Sequence, residues 1–487
     1  MHFPTSNEMV PVEDLVKLNN ALRKSTVGYQ TGAQADAGAA LSPLVPQSIE
    51  GSLASATYTM RELALWPMIP KANVTNTLHE YVVVNEHGLD LDPFIGEGGG
   101  AESDFATNNS QYERKSVKIK YMAERRQISD VASLVGLIGD NRQAIAEETM
   151  RGTMSLLGKV EKQLWYGREA LNDKGFDGIC AQIEAGGTNR GPNVYDLQGR
   201  VASPLLLQEA LGEVYSAPNY GRPDTIYVEP RIHSELIKQS VESGRHDQFS
   251  VNNATNGLTF GASNLSIMAP YGPVQVKAAP FLHFASRKPA AGFGAGKPGQ
   301  PAIQTDTAKA NSSSNFTATD AGAYKYYVVA VNDKGYSDQR EFASIDVVAN
   351  DVVTFTITGN AAVNYYRIYR TSADGAESTA RLIKEIPANG AADITVEDKN
   401  DGADGCMYNT SKIVFAQHDP QVFEFVRLLD FLRRPLAEVA TAKPFMLMLF
   451  GTPVVKTPGK MFVIKNAGIE TVSAGNPQDV NWKSANF

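Results

Sequence analysis

The chain has 487 residues, 43% of them hydrophobic and 20% charged, with 45 Lys+Arg against 53 Asp+Glu and a net charge of −8. At roughly 150 residues per domain that length makes about three domains, each able to bury a core, so disorder throughout is excluded. An acidic balance speaks against a general nucleic-acid coat, which needs a basic surface.

The two cysteines, Cys180 and Cys406, are too few and too far apart for a disulfide framework or a CxxC metal knot. The longest apolar stretch, Pro444 to Val455, is interrupted by Gly451 and Pro453 and is too short to span a bilayer. The N-terminus lacks the basic region and apolar core of a secretory signal. No membrane association is expected.

Residues 1–55 read as an arm. Val12, Leu15, Val16, Leu18 and Leu22 fit one face of a short amphipathic helix. The Gly/Ala/Gln-rich stretch that follows cannot hold a core, so the arm must lie on the body or on a neighbouring chain. LHEYVVVN (78–85) predicts a strand, and YERKSVKIKYMAE (112–124) a second, with Val117, Ile119 and Tyr121 alternating with Lys118 and Lys120. Between them lies a long Gly-rich acidic excursion, beyond the length of a hairpin turn and therefore a candidate functional loop. Asp140, with Gln143 behind it as in a capping box, opens the longest helix. Its stripe of Ala146, Met150, Met154, Leu157, Val160 and Leu164 runs to about Leu171. Residues 203–283 look α/β: Ser203-Pro204 starts one helix, DTIYV is a strand, Pro230 starts a second helix, and NLSIMAP and VQVKAAPFL are strands.

From His283 to Val426 there is a single leucine, Leu382. Short β-branched and aromatic runs at 324–332, 342–348, 352–358, 363–370, 380–386 and 393–398 alternate with turn residues, the pattern of a small antiparallel sandwich. Its span is 296–408. After it, VFEFVRLLDFLRRP (422–435) reads as mixed helix or strand, and PFMLMLFGTPVV and KMFVIKN as buried strands. The sandwich therefore interrupts a domain that resumes beyond it.

Chemistry-bearing motifs are scarce. GEGGGAES (96–103) lacks the Lys-Ser/Thr of a phosphate loop and is flanked by acids. DKNDGADG (398–405) has Ala403 and Asn409 where a calcium loop needs its glycine and bidentate glutamate, and reads as an acidic turn closing the sandwich. The seven histidines show no metal-pair spacing. No catalytic, cofactor-binding or metal-binding residue is assigned, and no enzymatic activity is expected. The clearest charged feature is the run Arg114, Lys115, Lys118, Lys120, Arg125 and Arg126. It is either a solvated strand face or a face that meets acidic groups of a neighbouring subunit, such as Glu97, Glu102 and Asp104.

Residues 70–183 carry a resemblance: a strand leading into FIGEGGGAESD, the return SVKIKYMAERRQISD, the long helix from Asp140, and the ending GFDGICAQI. This order resembles the major capsid proteins of tailed bacteriophages, with the Hong Kong 97-type fold, an α+β architecture. The sandwich, with its phrases YYVVAVN…GYSD and YYRIYR, resembles the immunoglobulin-like or fibronectin-like insertions of phage structural proteins. The resemblance implies an N-arm (1–55), an E-loop with flanking peripheral-domain strands (56–130), a spine helix and peripheral domain (131–200), and a first axial part (201–295). The insertion (296–408), a second axial part (409–445) and closing peripheral strands (446–487) follow. GFDGICAQI is then a strand entering the peripheral domain.

The resemblance also implies the function. Subunits would tile as pentamers and hexamers into an icosahedral head around double-stranded DNA held without sequence-specific contacts, in a virion assembled in the bacterial cytoplasm. The expected inter-subunit contacts are Phe94, Gly96, Glu97, Gly98, Gly99, Gly100, Glu102, Asp104, Arg114, Lys115, Lys118 and Lys120 of the E-loop, and Val12, Leu15, Leu18 and Leu22 of the arm. Further partners would be a portal, a separate scaffolding protein, since the arm is too short to be a fused one, and a decoration protein. Two rival readings are an encapsulin-like nanocompartment shell and a glycan-binding adhesin built on the sandwich.

Overall fold

A computed structural model of the chain describes residues 57–88, 108–130, 144–186, 193–242, 250–252, 257–259, 265–310, 313–341, 344–438 and 441–469. They fall almost entirely in one compact unit, formed by Thr57–Asp130 and Glu147–Phe487. The predicted arm helix and the Asp140–Gln143 cap lie outside the described residues.

Helix α1 (Ala144–Tyr166) has 23 residues, about 34 Å of rod. Leu156, Leu157, Val160, Leu164 and Trp165 form its buried face, while Ala146 and Met150 at its start are exposed. The expected stripe therefore holds for its second half only. The helix ends at Tyr166, before the expected Leu171, because the chain doubles back: the Gly178 amide donates to the Gly167 carbonyl at 2.9 Å. A Cβ on Gly178 would stand 2.7 Å from the Gln163 carbonyl oxygen and 2.8 Å from that of Leu164. Only glycine lets the returning chain lie on the last turn. The segment GFDGICAQI then leads into helix α2 (Ile179–Gly186), where a strand was expected. Ile179, Cys180 and Ile183 recur at helical spacing, and all three are buried.

Two sheets sandwich this core. The first has four strands in the order Lys71–Asn73, Phe423–Pro435, Ala442–Val455 and Lys120–Ser129. Phe423, Phe425, Phe445, Leu447 and Leu449 of that sheet pack with the buried face of α1. The second has six strands in the order Val194–Asp196, Phe462–Gly468, Thr410–Ala416, Thr225–Val228, Gly272–Ala278 and Ser266–Ala269. Helices α3 (Pro204–Tyr215) and α4 (Pro230–Glu242) cover it, with Leu207, Leu211, Ile232 and Leu236 in their shared core. The Ser203 hydroxyl accepts from the Leu206 amide as the expected cap.

These pairings redraw the expected parts. Of the segment 422–435, Phe423–Pro435 is strand, with no helix, and it lies beside Lys120–Ser129 through Ala442–Val455, a single strand that crosses the expected boundary at 445/446. The final strand, Phe462–Gly468, joins the sheet built by 225–278 rather than closing the peripheral sheet. Cross-strand pairing decides membership, and hydropathy alone does not reveal the partner strand.

The predicted sandwich is present as two facing sheets, with a small two-stranded sheet of Gly322–Tyr324 and Ile345–Val347 sharing its core. One contains Ile303–Ala310, Asp351–Ile357 and Ile394–Asp398. The other contains Tyr326–Asn332, Tyr365–Arg370 and Arg381–Pro387, with two short edge strands. Val328, Ala330, Phe355, Ile357, Ile368 and Val396 fill the space between. Ile303–Ala310 precedes the first of the expected sandwich runs, at 324–332, and no strand was expected there. Alternate residues of YYVVAVN (Tyr327, Val329 and Val331) face away from this core and pack with Phe284 and Tyr369. The strand is thus covered on both faces, which explains why its sequence is continuously apolar.

Arg370 crosses the interior of the sandwich. Its guanidinium bonds Asp398 at 2.7 Å and the Asn400 side chain at 2.8 Å, with the Phe316 and Tyr324 rings stacked against it. The Tyr326 hydroxyl donates to Asp398 at 2.9 Å. Burial pushes the Asp398 carboxyl up, but Arg370, the Asn400 amide and Lys384 together outweigh it and hold the group below the usual range. The first carboxylate of the calcium-like motif is thereby committed to a structural ion pair. Asp401 accepts from the Ala403 amide, and Asp404 meets Arg168 at 3.4 Å.

Candidate assembly surface

Leu78–Glu86 and Gln111–Lys118 form a two-stranded antiparallel ribbon that, among the described residues, joins no other sheet. Side chains alternate across it. One face carries His79, Tyr81, Val83 and Val117; Tyr81 and Val117 pack against a small cluster of Ile119, Val426 and Val454. That burial raises the pKa of the Tyr81 hydroxyl. The other face carries Leu78, Val82, Val84 and Tyr112, all exposed, with Val82 at 59% and Tyr112 at 69%. Tyr112 is directly opposite Val84, and Arg114 directly opposite Val82. Glu80 and Lys118 complete this face.

An isolated hairpin is marginally stable in water, and Val82, Val84 and Tyr112 lie next to one another as an apolar patch suited to a partner, with Leu78 beyond Glu80 on the same face. The sequence run Val82-Val83-Val84 was the available signal: three successive valines place apolar side chains on both faces of a strand.

The basic run divides in space. Arg114 and Lys118 share the apolar face, and Arg114 meets Glu80 at 3.7 Å. Lys115 points to the opposite face, 3.4 Å from Glu113. The single expected strand is in fact two, broken at the buried Ile119. The break reverses the expected alternation. Lys120 turns inward, with its ammonium 2.7 Å from Glu169 and 2.6 Å from the Asp173 carbonyl, while Tyr121 faces out. As a satisfied in-chain cation, Lys120 does not belong with the outward-facing group. Arg126 is likewise held within the chain, by Glu124 and Glu148. Phe94, Gly96, Glu97, Gly98, Gly99, Gly100, Glu102 and Asp104, and Val12, Leu15, Leu18 and Leu22, lie outside the described residues.

Beneath the ribbon the fold is tied by a buried acid that sequence reasoning missed. Glu161 of α1 accepts from the Leu65 amide at 2.8 Å and the Trp66 amide at 2.9 Å. It thereby fixes the segment that precedes the ribbon. Burial pushes its pKa up, and these amide donors only partly offset the rise.

One constellation has the look of a catalytic relay. Asp224 lies 2.6 Å from His418 Nδ1, and His418 Nε2 lies 3.0 Å from the Tyr227 hydroxyl. Tyr227 is fully buried against Trp165, and burial drives its pKa far up. A phenol that neither ionises nor reaches solvent makes a poor nucleophile, and the group reads as a core hydrogen-bond chain. Among the described residues, no group of His, Cys, Asp and Glu is arranged to hold a metal ion, and no helix is long and apolar enough to cross a membrane.

Comparison with known proteins places this geometry in context. A protein of Staphylococcus phage S25-3, named major capsid protein, is 24% identical over 90% of this chain and 93% of its own. The major capsid protein of Staphylococcus phage K matches to the same extent. A relative from Enterococcus phage phiEF24C, also described as a major capsid protein, is 24% identical over 97% of this chain and 98% of its own. The chain's relatives are phage major capsid proteins. No family model matches the chain. Similar solved structures include the capsid of the native GTA particle, with a TM-score of 0.47 and 10% identity over 90% of this chain and 100% of that one. The SrpI encapsulin of Synechococcus elongatus PCC 7942 has a TM-score of 0.42 and 9% identity over 91% of this chain and 99% of its own. Outside the sandwich, the order of elements described above (ribbon, returning strand, long helix, then an α/β sheet) is the order expected of a Hong Kong 97-type capsid fold.

Proposed function

We propose that this chain is the major capsid protein of a tailed phage, assembling as pentamers and hexamers into an icosahedral head around double-stranded DNA. The observation that carries this reading is the 24% identity sustained over 97% of the chain to a phage capsid protein. An identity confined to the sandwich or to one sheet would have supported only a shared module. The unpartnered apolar face of the ribbon supports the same reading, because it supplies a surface for another copy to cover.

In this account the ribbon and the acidic stretch beyond it, from Phe94 to Asp104, reach over an adjacent subunit. Arg114 and Lys118 set the register against acids of a second copy. The arm, through Val12, Leu15, Leu18 and Leu22, laces under neighbours. Each contact is modest, and its repetition around the shell supplies the stability. A net charge of −8 suits a wall that encloses DNA without gripping it. The sandwich, read as an immunoglobulin-like insertion, projects outward. A portal, a separate scaffolding protein and a decoration protein complete the partners, and assembly takes place in the host cytoplasm. The role is structural, with no reaction catalysed.

The test is expression with and without candidate scaffolding genes, followed by sedimentation and negative-stain microscopy. Closed shells of uniform diameter, holding nuclease-protected DNA when made during infection, are expected. A monodisperse monomer or dimer under every condition would overturn the proposal, and shells that enclose only protein cargo would replace it with the nanocompartment reading.

A further inference from the structure

Where the end of α1 faces the outer surface of the sandwich, the fold leaves a cleft of about 380 Å³. That is within the range of roughly 300–1,000 Å³ typical of small-molecule sites. Its walls are mainly apolar: Val160, Leu171 and Phe176 on the body side, Tyr365 and Leu382 on the sandwich side. Several cations line it, and most are already satisfied. Lys120 is held by Glu169, Lys174 by Asp333, and Arg367 by Glu385 at 2.9 Å and the Tyr365 hydroxyl at 3.0 Å.

Lys162 differs. It projects from α1 into this cleft and makes no ion pair among the described residues. Burial, and then the nearby Arg367, lower its pKa, with Glu385 offsetting only part of the effect. The side chain is half-buried, and an ammonium partly withdrawn from water without a direct ion pair is held at a cost. The cleft thus combines a roomy, mainly apolar interior with one ammonium that has no direct ion pair among the described residues.

We propose that this cleft is a binding site for a small anionic amphiphile, a molecule with one carboxylate, sulfonate or phosphate to meet Lys162 and an aromatic or hydrocarbon body to fill the space between α1 and the sandwich. The anion supplies the counter-charge that the chain withholds, and the body covers the walls of Leu171, Phe176, Tyr365 and Leu382. The inference rests on the cleft within one subunit and stands independently of how subunits assemble.

The probe is 8-anilinonaphthalene-1-sulfonate, titrated by fluorescence and calorimetry into dissociated, folded full-length subunits. Wild type is expected to show one saturable site that binds this sulfonate more tightly than the uncharged N-phenyl-1-naphthylamine. Lys162→Met should weaken sulfonate binding at least tenfold, leave binding of the uncharged analogue unchanged, and melt at or above the wild-type temperature because a half-buried ammonium without a direct ion pair is gone. Lys277→Met, outside the cleft, should bind as wild type. No saturable site, equal affinity in Lys162→Met, or a lower melting temperature for Lys162→Met in the absence of probe would each overturn the proposal. The last result would mean that Lys162 already has its counter-charge within the chain.

Discussion

Replacing Val82 and Tyr112 together by serine strips the exposed ribbon face of half its large apolar side chains and leaves the opposite, packed face untouched. Fully burying a side chain of this size contributes about 1.5–3 kcal/mol. Val82 and Tyr112 are 59% and 69% exposed, so that fraction remains to be gained on docking. The pair is then worth about 2–4 kcal/mol at each inter-subunit contact, a 30-fold to 1,000-fold change in a single contact's equilibrium constant. Because every subunit repeats the contact, the loss compounds through the shell. The subunit fold should change little, since neither side chain belongs to a core. The assay is sedimentation of assembly reactions across a range of subunit concentrations, with circular dichroism of the dissociated subunit as the folding control. The expected result is a folded subunit whose threshold concentration for shell formation rises at least tenfold. A normal threshold with a folded subunit would refute the argument that this face is covered by another copy.

Other expectations follow from the interior. Glu161→Ala leaves the Leu65 and Trp66 amides without their acceptor; at about 1–3 kcal/mol for each orphaned donor, subunit stability in urea should fall by roughly 2–6 kcal/mol, and a loss under about 0.5 kcal/mol would contradict the clamp. The raised pKa of Glu161 means its contribution is fully present below the unfolded carboxyl pKa and declines as pH rises through the folded value. The stability difference between wild type and Glu161→Gln, followed from about pH 4 upward, should therefore shift against wild type as pH rises, and a flat difference would contradict this assignment. Arg370→Met strands the buried Asp398 and should cost about 3–5 kcal/mol in the sandwich, read as its selective protease sensitivity; wild-type resistance would show that Arg370 is dispensable. Excising residues 288–404 with a short Gly-Ser link, so that Met407 keeps its 3.0 Å bond to Asn466, should leave shell formation intact; its abolition would make the sandwich an assembly element.

Local pattern carried much of the fold. The Ser203 cap, the Pro230 helix start and the β-branched runs of the sandwich each announce a single element through residues a few positions apart. Sheet membership was not legible in the same way. Phe462–Gly468 and Ala442–Val455 read as buried strands, but nothing in their hydropathy distinguishes the partner sheet, which depends on pairing across long sequence separations. Ile303–Ala310 escaped notice because its small and polar residues hide the period of two. The end of α1 was missed because Gly178, far along the chain, decides where it stops. At the candidate surface, the charge run spans two elements: Arg114, Lys115 and Lys118 are on the ribbon, while a one-residue break at Ile119 puts Lys120, Arg125 and Arg126 on a strand of another sheet and sends Lys120 inward and Tyr121 outward. The apolar residues that make the surface, Val82, Val84 and Tyr112, stood in the sequence as ordinary strand residues. Only their exposure, with no strand or helix over them among the described residues, marks them as available.

A cryo-electron microscopy reconstruction of assembled shells, at a resolution that shows side chains, tests the central claim most directly. The account predicts that Leu78, Val82, Val84 and Tyr112 of each ribbon lie against a neighbouring copy of the same chain, with Arg114 and Lys118 facing acidic side chains of that neighbour. A closed shell in which this ribbon face points to solvent, or is covered by another part of its own subunit, would contradict it.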